Sequence, residues 1–376
     1  MNQSHEAILV VAASTINADM YYASRFLAPD PFIFLQTTSR KWIAVSDLEL
    51  DRARAQAAVD EILPLSRYSE RLRQQGSLEP GQAELIAEIL KERSIGTLLV
   101  PASFGLELAD SLRSRGYRVN FKKDPFWDER LRKSAEEIAH MTQALRATEE
   151  VLELALETIR QSTIRNGLLY QGSQPLTAEG LRRLIHHGLL DRDCVAEQTI
   201  VACSDQGCDP HEEGKGPLLP HQSIIIDVFP RSLGSRYHAD ITRTVVKGTP
   251  SVELKRLFDG VLAAQEEAFS RIKAGVTGQE VHEAVSSRLE RLGFQTGEVN
   301  GRQQGFFHGT GHGLGLDIHE LPRLGKGGGV LQSGNVVTVE PGLYYPGIGG
   351  VRIEDVVVVR EEGCENLTRA PKVLQL

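Results

Sequence analysis

The second half of the chain states one pattern twice. Gln222-Ser223-Ile224-Ile225-Ile226-Asp227-Val228-Phe229-Pro230 reads as an apolar strand closed by an acid and a proline. Thirteen residues beyond Asp227, Asp240 opens a second run, Asp240-Ile241-Thr242-Arg243-Thr244-Val245-Val246. Gly334-Asn335-Val336-Val337-Thr338-Val339-Glu340-Pro341 is again an apolar strand ending in acid and proline. Fourteen residues beyond Glu340, Glu354 lies within Val351-Arg352-Ile353-Glu354-Asp355-Val356-Val357-Val358-Val359. Between the copies come helical patterns at 252–272, apolar at 254, 257, 258, 261 and 262, and at 278–292, opened by a Thr277 and Glu280 capping box. Repeat units that cannot bury an apolar face alone bury it against each other, so the pattern predicts one pseudo-duplicated α+β domain rather than two small ones.

The repeat also puts carboxylates where they are costly. An acid in an apolar strand loses its hydration, at several kcal/mol per ion, and is rarely left there unless paired or bound to a cation. One acid at a strand edge is ordinarily a surface residue, but Asp227, Asp240, Glu340 and Glu354 recur in matched positions. As bare anions the four could not share a pocket, because repulsion would raise their pKa values and protonate some of them. Between the copies lies His308-Gly309-Thr310-Gly311-His312-Gly313-Leu314-Gly315-Leu316-Asp317-Ile318-His319-Glu320, with three of the chain's eleven histidines in twelve residues. Its alternating glycines let a backbone approach closely and leave room for a ligand, while its histidines supply metal-binding and proton-transferring groups. The stretch opens no helix and lacks the spacing of a phosphate loop.

Oxygen ligands with one or two imidazoles suit manganese, cobalt, iron or zinc. Two such ions about 3.5 to 4 Å apart can share a water, lower its pKa and polarise a carbonyl, which is the chemistry of amide hydrolysis. Strand alternation puts His238, Asp240 and Thr242 on one face, and Arg352 and Glu354 on one face, so Thr242 and Arg352 are candidates to hold ligating carboxylates from behind. His238 reads equally as a ligand or as a strand histidine satisfied locally.

The first third is different. Short apolar runs at 8–12, 32–35, 42–45, 97–100 and 117–121 alternate with helical patterns such as 81–93, predicting an α/β domain at residues 1–124. Lys122-Lys123-Asp124-Pro125 marks a linker, because proline disfavours helix in itself and its predecessor. The second domain then spans 125–376, opening with a long helix capped by Ser134 and Glu137 and a shorter one at 178–190. His186 and His187 on the shorter helix point different ways and read as packing or surface residues.

A formal net charge of -8 with no dense basic run argues against nucleic-acid binding. No run approaches the roughly 20 apolar residues of a membrane span, and no basic residue precedes the apolar stretch at 7–13, so no membrane association and a cytoplasmic location are expected. Cys194, Cys203, Cys208 and Cys364 contain no C-x-x-C pair. Cys203, Cys208 and His211 could form part of a zinc site but lack a fourth ligand, and reduced, partly buried thiols are the simpler reading.

Together, the histidine-glycine stretch, Val339-Glu340-Pro341-Gly342-Leu343-Tyr344, Gly350-Val351-Arg352-Ile353-Glu354-Asp355 and Asp240-Ile241-Thr242-Arg243-Thr244 resemble the pita-bread metallopeptidases, in their Xaa-Pro aminopeptidase and prolidase branch. The first domain is similar to the creatinase-type N-terminal domain, and residues 130–141 resemble the opening of the family's catalytic domain. The resemblance implies two divalent metal ions, commonly manganese, held by Asp227, Asp240, His312, Glu340 and Glu354, with Asp240 and Glu354 bridging. It implies that His308 and His319 line the substrate pocket and take part in catalysis, that His319 stabilises the carbonyl or tetrahedral intermediate, and that Glu340 shuttles a proton. His211 matches a pocket histidine of the family, and Arg352 joins the substrate-binding group.

The implied substrate is a peptide or dipeptide with proline second, cut by a metal-bridging hydroxide, and the implied assembly is a homodimer. The thirteen-residue spacing and Val228-Phe229-Pro230 depart from the family pattern and bear on substrate choice. The alternatives are a metal-dependent lyase or non-peptide hydrolase acting on a small organic acid, and a catalytically silent peptide-binding module, which intact ligands disfavour.

Overall fold

The computed structural model describes residues 5–376, so residues 1–4 of the expected first domain lie outside the described residues. The chain forms two compact units, Met1–Asp128 and Glu129–Leu376.

The first unit is built on a six-stranded mixed sheet. Its strands are β1 (His5–Ala12), β2 (Phe32–Gln36), β3 (Lys41–Val45), β4 (Glu61–Pro64), β5 (Ile95–Pro101) and β6 (Arg118–Lys122), in the order β4-β3-β2-β1-β5-β6. Side chains alternate between the faces of a strand, and here both faces are apolar. Leu9, Ile33, Leu35 and Ala44 pack on one side with Ile86, Ile89 and Leu90, whereas Val10, Phe32, Phe34, Ile43 and Val45 pack on the other with Met20 and Phe26. The short edge strand β4 is absent from the sequence reading because four residues ending in proline carry no periodicity.

The second unit starts with the 27-residue helix Ala135–Gln161, capped by Ser134 and Glu137 as expected. The helices Ala178–Leu190, Val252–Arg271 and Gly278–Arg291 follow, the last capped by Thr277 and Glu280. One antiparallel sheet pairs Ile200–Cys203, Ile224–Val228 and Ile241–Val245. A second runs in the order Glu320–Leu324, Gly311–Gly313, Val336–Val339, Asp355–Arg360, Gly363–Asn366. A hairpin of Gly342–Tyr345 and Gly349–Arg352 accompanies them. The core sets Leu254, Leu257, Val261 and Ala264 of the third helix, and Val281, Val285 and Leu289 of the fourth, against Val337, Val339, Val351, Ile353, Val357 and Val359. Among the described residues, no helix is long and apolar enough to cross a membrane.

Candidate metal centre

The repeat delivers its acids from equivalent places. Asp240 immediately precedes the strand Ile241–Val245 and Glu354 immediately precedes Asp355–Arg360. Asp227 lies within Ile224–Val228, opposite Thr242, and Glu340 directly follows Val336–Val339. The Glu354 N–H donates to Thr242 O at 3.1 Å, which stitches the two copies together. Asp227, Asp240 and Glu354 are buried and Glu340 is half-buried.

His312, on the strand Gly311–Gly313, completes the cluster. Its Nδ1 lies 3.1 Å from Gly313 O, and because a carbonyl only accepts, this nitrogen carries the proton and Nε2 keeps a lone pair. Nε2 stands 3.5 Å from Glu340 Oε1 and 3.7 Å from Asp240 Oδ2, too far for strong hydrogen bonds. Asp240, His312 and Glu354 each present a ligand atom within 4.8 Å of the others.

The electrostatics are those of an uncompensated cluster. Burial first, then repulsion from Asp227 and Glu340, holds the Asp240 carboxyl well above its ordinary range. Glu354 is raised by burial and then by Asp240 and Glu340. Burial, reinforced by Asp227, pushes Glu340 up to about 7 against the pull of Arg352. Burial also lowers the basicity of His312. Asp227 Oδ1 is buried without a hydrogen-bond partner among the described residues, while its Oδ2 accepts from Arg352 Nη2 at 2.7 Å. An orphaned carboxylate oxygen, a free imidazole lone pair and acids driven towards protonation all call for positive charge at one point. The donor set of oxygens and one nitrogen fits a divalent cation of the manganese, cobalt, iron or zinc group.

Behind these groups is a connected layer. Thr242 Oγ1 donates to Glu354 Oε2 at 2.8 Å, and Arg352 Nη1 donates to the Tyr344 hydroxyl at 3.0 Å. His308 Nδ1 lies 2.8 Å from Gly309 O, so its Nε2, 2.9 Å from the Tyr344 hydroxyl, accepts that proton. Burial and then Arg352 push His308 down to about 4. His308, expected among the catalytic groups, therefore has both nitrogens engaged. Arg352, expected to touch substrate, is 3% exposed and spends its guanidinium on Asp227 and Tyr344, so it stands behind Asp227.

His319 is exposed, and its ring meets that of His312 edge-on with centroids 4.3 Å apart. Loss of solvation, then the neighbouring His312 and His211, push it down to about 4. His211 is exposed and lies near enough to act electrostatically on His308, His319 and Glu340. His238 Nδ1 is buried with no partner among the described residues and burial pushes the ring down to about 4, while the backbone N–H of His238 donates to Gly315 O at 2.8 Å. Cys203 and Cys208 are buried thiols pushed up to about 11 and about 12 by burial, and all four cysteines are free.

The glycines have another purpose than room for a ligand. A Cβ on Gly311 would come within 2.0 Å of Thr338 O, and one on Gly313 within 2.4 Å of Leu321 O. They let the His312 strand lie against its neighbours, which corrects the expectation of open space at these positions.

Three features escaped the sequence reading. Tyr344 joins Arg352 to His308. His282, on the helix Gly278–Arg291, lies 3.0 Å through Nδ1 from Thr310 Oγ1. Glu320 accepts from Arg130 Nη2 at 2.7 Å and pairs with Lys133. Tyr344 and Glu320 close motifs that the sequence singles out without giving either a role, and only long-range packing gives the three their partners.

A buried acidic cage with one imidazole, at the heart of a duplicated α+β unit, is the fold and site of a metal-dependent hydrolase. The chain belongs to metallopeptidase family M24, whose model matches residues 139–361. An Xaa-Pro dipeptidase of Pyrococcus furiosus is 29% identical over 292 residues, 77% of this chain and 78% of that one. An X-Pro aminopeptidase from Thermotoga maritima superposes with a TM-score of 0.82 at 26% identity, covering 99% of this chain and 98% of that one. An Xaa-Pro dipeptidase from Bacillus anthracis gives a TM-score of 0.82 at 26% identity, covering 98% and 95%. These likenesses extend over both units and agree with the pita-bread fold preceded by an α/β domain.

Proposed function

We propose that the protein hydrolyses the bond between an N-terminal residue and a following proline, in dipeptides or longer peptides, using two divalent metal ions. The observation that carries this reading is the cage itself: an orphaned Asp227 oxygen, the His312 lone pair and three acids with raised pKa values. The names of the relatives support the substrate class. Asp227, Asp240, His312, Glu340 and Glu354 would hold the ions. Bound there, the cations supply Lewis acidity, polarising the scissile carbonyl and making water more acidic.

The chain's own groups do the rest. His319, exposed beside His312 and neutral at working pH, would donate a hydrogen bond to the carbonyl oxygen as charge builds on it. Glu340 would take the proton from the attacking water as the carbon–oxygen bond forms, and deliver it to the proline nitrogen as the carbon–nitrogen bond breaks. His308, held neutral between Gly309 and Tyr344, forms a wall of the pocket, and His211 contributes from its rim. Thr242 and Arg352 orient Glu354 and Asp227.

Manganese is the proposed ion. Four free thiols suit a reducing, cytoplasmic compartment, and a homodimer is proposed from the family resemblance alone. Purified protein incubated with manganese and a panel of Xaa-Pro dipeptides and tripeptides should release the first residue. A metal-loaded protein that cleaves none of the panel would sink the reading and turn attention to non-peptide substrates.

A further inference from the structure

The strands next to Glu340 and Glu354 are paired in the sheet up to Val339 opposite Asp355, and just beyond that pairing a side-chain amide bridges the same two stretches of backbone. Gln265, 1% exposed on the helix Val252–Arg271, donates from Nε2 to Val339 O at 2.9 Å and to Ile353 O at 3.3 Å. Val339 and Ile353 are the residues immediately before Glu340 and Glu354, so the two bonds join the paired acids of the second copy of the repeat.

The direction of the amide is set from its other end. Lys372 Nζ donates to Gln265 Oε1 at 2.6 Å, and because an ammonium only donates, the NH2 must face the two carbonyls. Lys372 also pairs with Asp355 Oδ2 at 2.6 Å. Asp355 Oδ1 takes Arg243 Nη2 at 2.9 Å, and Arg243 Nη1 donates to Glu354 O at 2.7 Å. The chain of bonds thus starts at the backbone before Glu354 and returns to Glu354 itself.

A glutamine buried among apolar helix residues is costly unless both ends are satisfied, and here both are. What it gains is a brace where the sheet ladder ends: Val339 is the last residue paired, opposite Asp355, and the amide holds the two backbones together at the residues just before the cage's glutamates. Metal sites need their ligands held to within about 0.5 Å of the productive geometry by supporting groups, and loss of such support typically weakens metal binding by about 10- to 100-fold.

We propose that Gln265, oriented by Lys372, is a positioning residue that sets the separation of Glu340 and Glu354 and so tunes the affinity of the cage for divalent cations. The inference rests on the reading that these acids hold metal. Neither residue touches the cage directly, so the effect should appear in metal binding and not only in stability.

The test is calorimetric titration of manganese into chelator-stripped protein, alongside thermal melts of the metal-free state. Gln265→Met keeps the volume and removes both donors, and should weaken manganese binding by about tenfold or more. Lys372→Met should act in the same direction, while Lys372→Arg, which keeps a donor and the charge, should recover most of the affinity. Val261→Ala, on the same helix and in the same core, removes packing but no donor, and should lower the melting temperature while leaving manganese affinity unchanged. Wild-type affinity in Gln265→Met, or equal weakening by Val261→Ala, would overturn the inference. Should Gln265→Met not fold, wild-type affinity in Lys372→Met overturns it instead. Wild-type protein that takes up no manganese refutes the metal reading itself and this inference with it.

Discussion

Glu92 in the first unit and Glu354 in the second are the same residue type in opposite electrostatic situations. Glu92 sits among Arg71, Arg67 and Arg93 at 2.8, 3.3 and 3.3 Å and accepts from the Tyr68 hydroxyl at 3.2 Å. Partial burial works to raise its carboxyl, yet the hydrogen bond from Arg71 and the charges of Arg67 and Arg93 hold it below the ordinary range. Glu354 has the Thr242 hydroxyl for company, and burial with three neighbouring acids drives its carboxyl up. The first cluster is balanced by the chain itself; the second is left short of positive charge. Where a fold leaves buried charge uncompensated, it is arranged for something the chain does not contain.

The hardest test of that contrast is removal of an acid from each side. Asp240→Ala should lose cation binding and reduce kcat/KM by at least about a thousandfold, several kcal/mol of transition-state stabilisation. The same change should leave the metal-free protein folded and raise its melting temperature, because it relieves repulsion around Asp227, Glu340 and Glu354. Wild-type turnover in Asp240→Ala would break the comparison, and so would a large fall in the metal-free melting temperature.

His319→Ala comes next. The ring is exposed and contributes little packing, so its loss should cost about a hundredfold in kcat while the melting temperature and manganese affinity stay put. A loss confined to KM would move His319 from the chemistry to substrate binding.

The two clusters should also titrate in opposite directions. Glu340 has a folded pKa raised to about 7, above an unfolded value of 4.5. The folded, metal-free protein therefore keeps a proton that the unfolded chain releases, and stability should fall as pH rises from about 4.5 through 7. Glu92 is lowered, so its contribution is present above 4.5 and is lost as pH falls below that value. Thermal scans of chelated protein between about pH 6.5 and 8, above the range in which the buried histidines with lowered pKa values add stability as pH rises, should show a declining melting temperature, and saturating manganese should remove the decline. A flat profile without metal would mean that the acids are already neutralised by the chain.

How much of this was legible in the sequence follows from range. The repeat of strand, acid and proline was readable because burial of an apolar strand and the cost of a carboxylate within it are local facts. The caps at Ser134 and Thr277 were readable for the same reason, since each bond spans three residues. Thr242 and Arg352 came from strand alternation alone. Tyr344, His282 and Gln265 carry no local sign, because their meaning lies in partners 36, 28 and 74 residues away. The glycines of the histidine stretch suggest both close backbone approach and open space, and the neighbouring strands show close approach at Gly311 and Gly313, where Thr338 and Leu321 fill the space.

The smallest expected effect closes the contrast from the balanced side. Glu92→Gln leaves Arg67, Arg71 and Arg93 without their shared anion, and Glu92 is 27% exposed, so water will screen part of the loss. A cost of about 1 kcal/mol is expected, a fall of roughly 3 °C in the melting temperature. High salt should shrink the difference, since the interaction is partly exposed. Manganese affinity and kcat/KM should be unchanged, because nothing in this cluster is short of charge. If Glu92→Gln altered metal binding, the division between a self-neutralised unit and a charge-deficient one would be wrong, and the acids of the second unit would have to be reconsidered as part of a field that both units share.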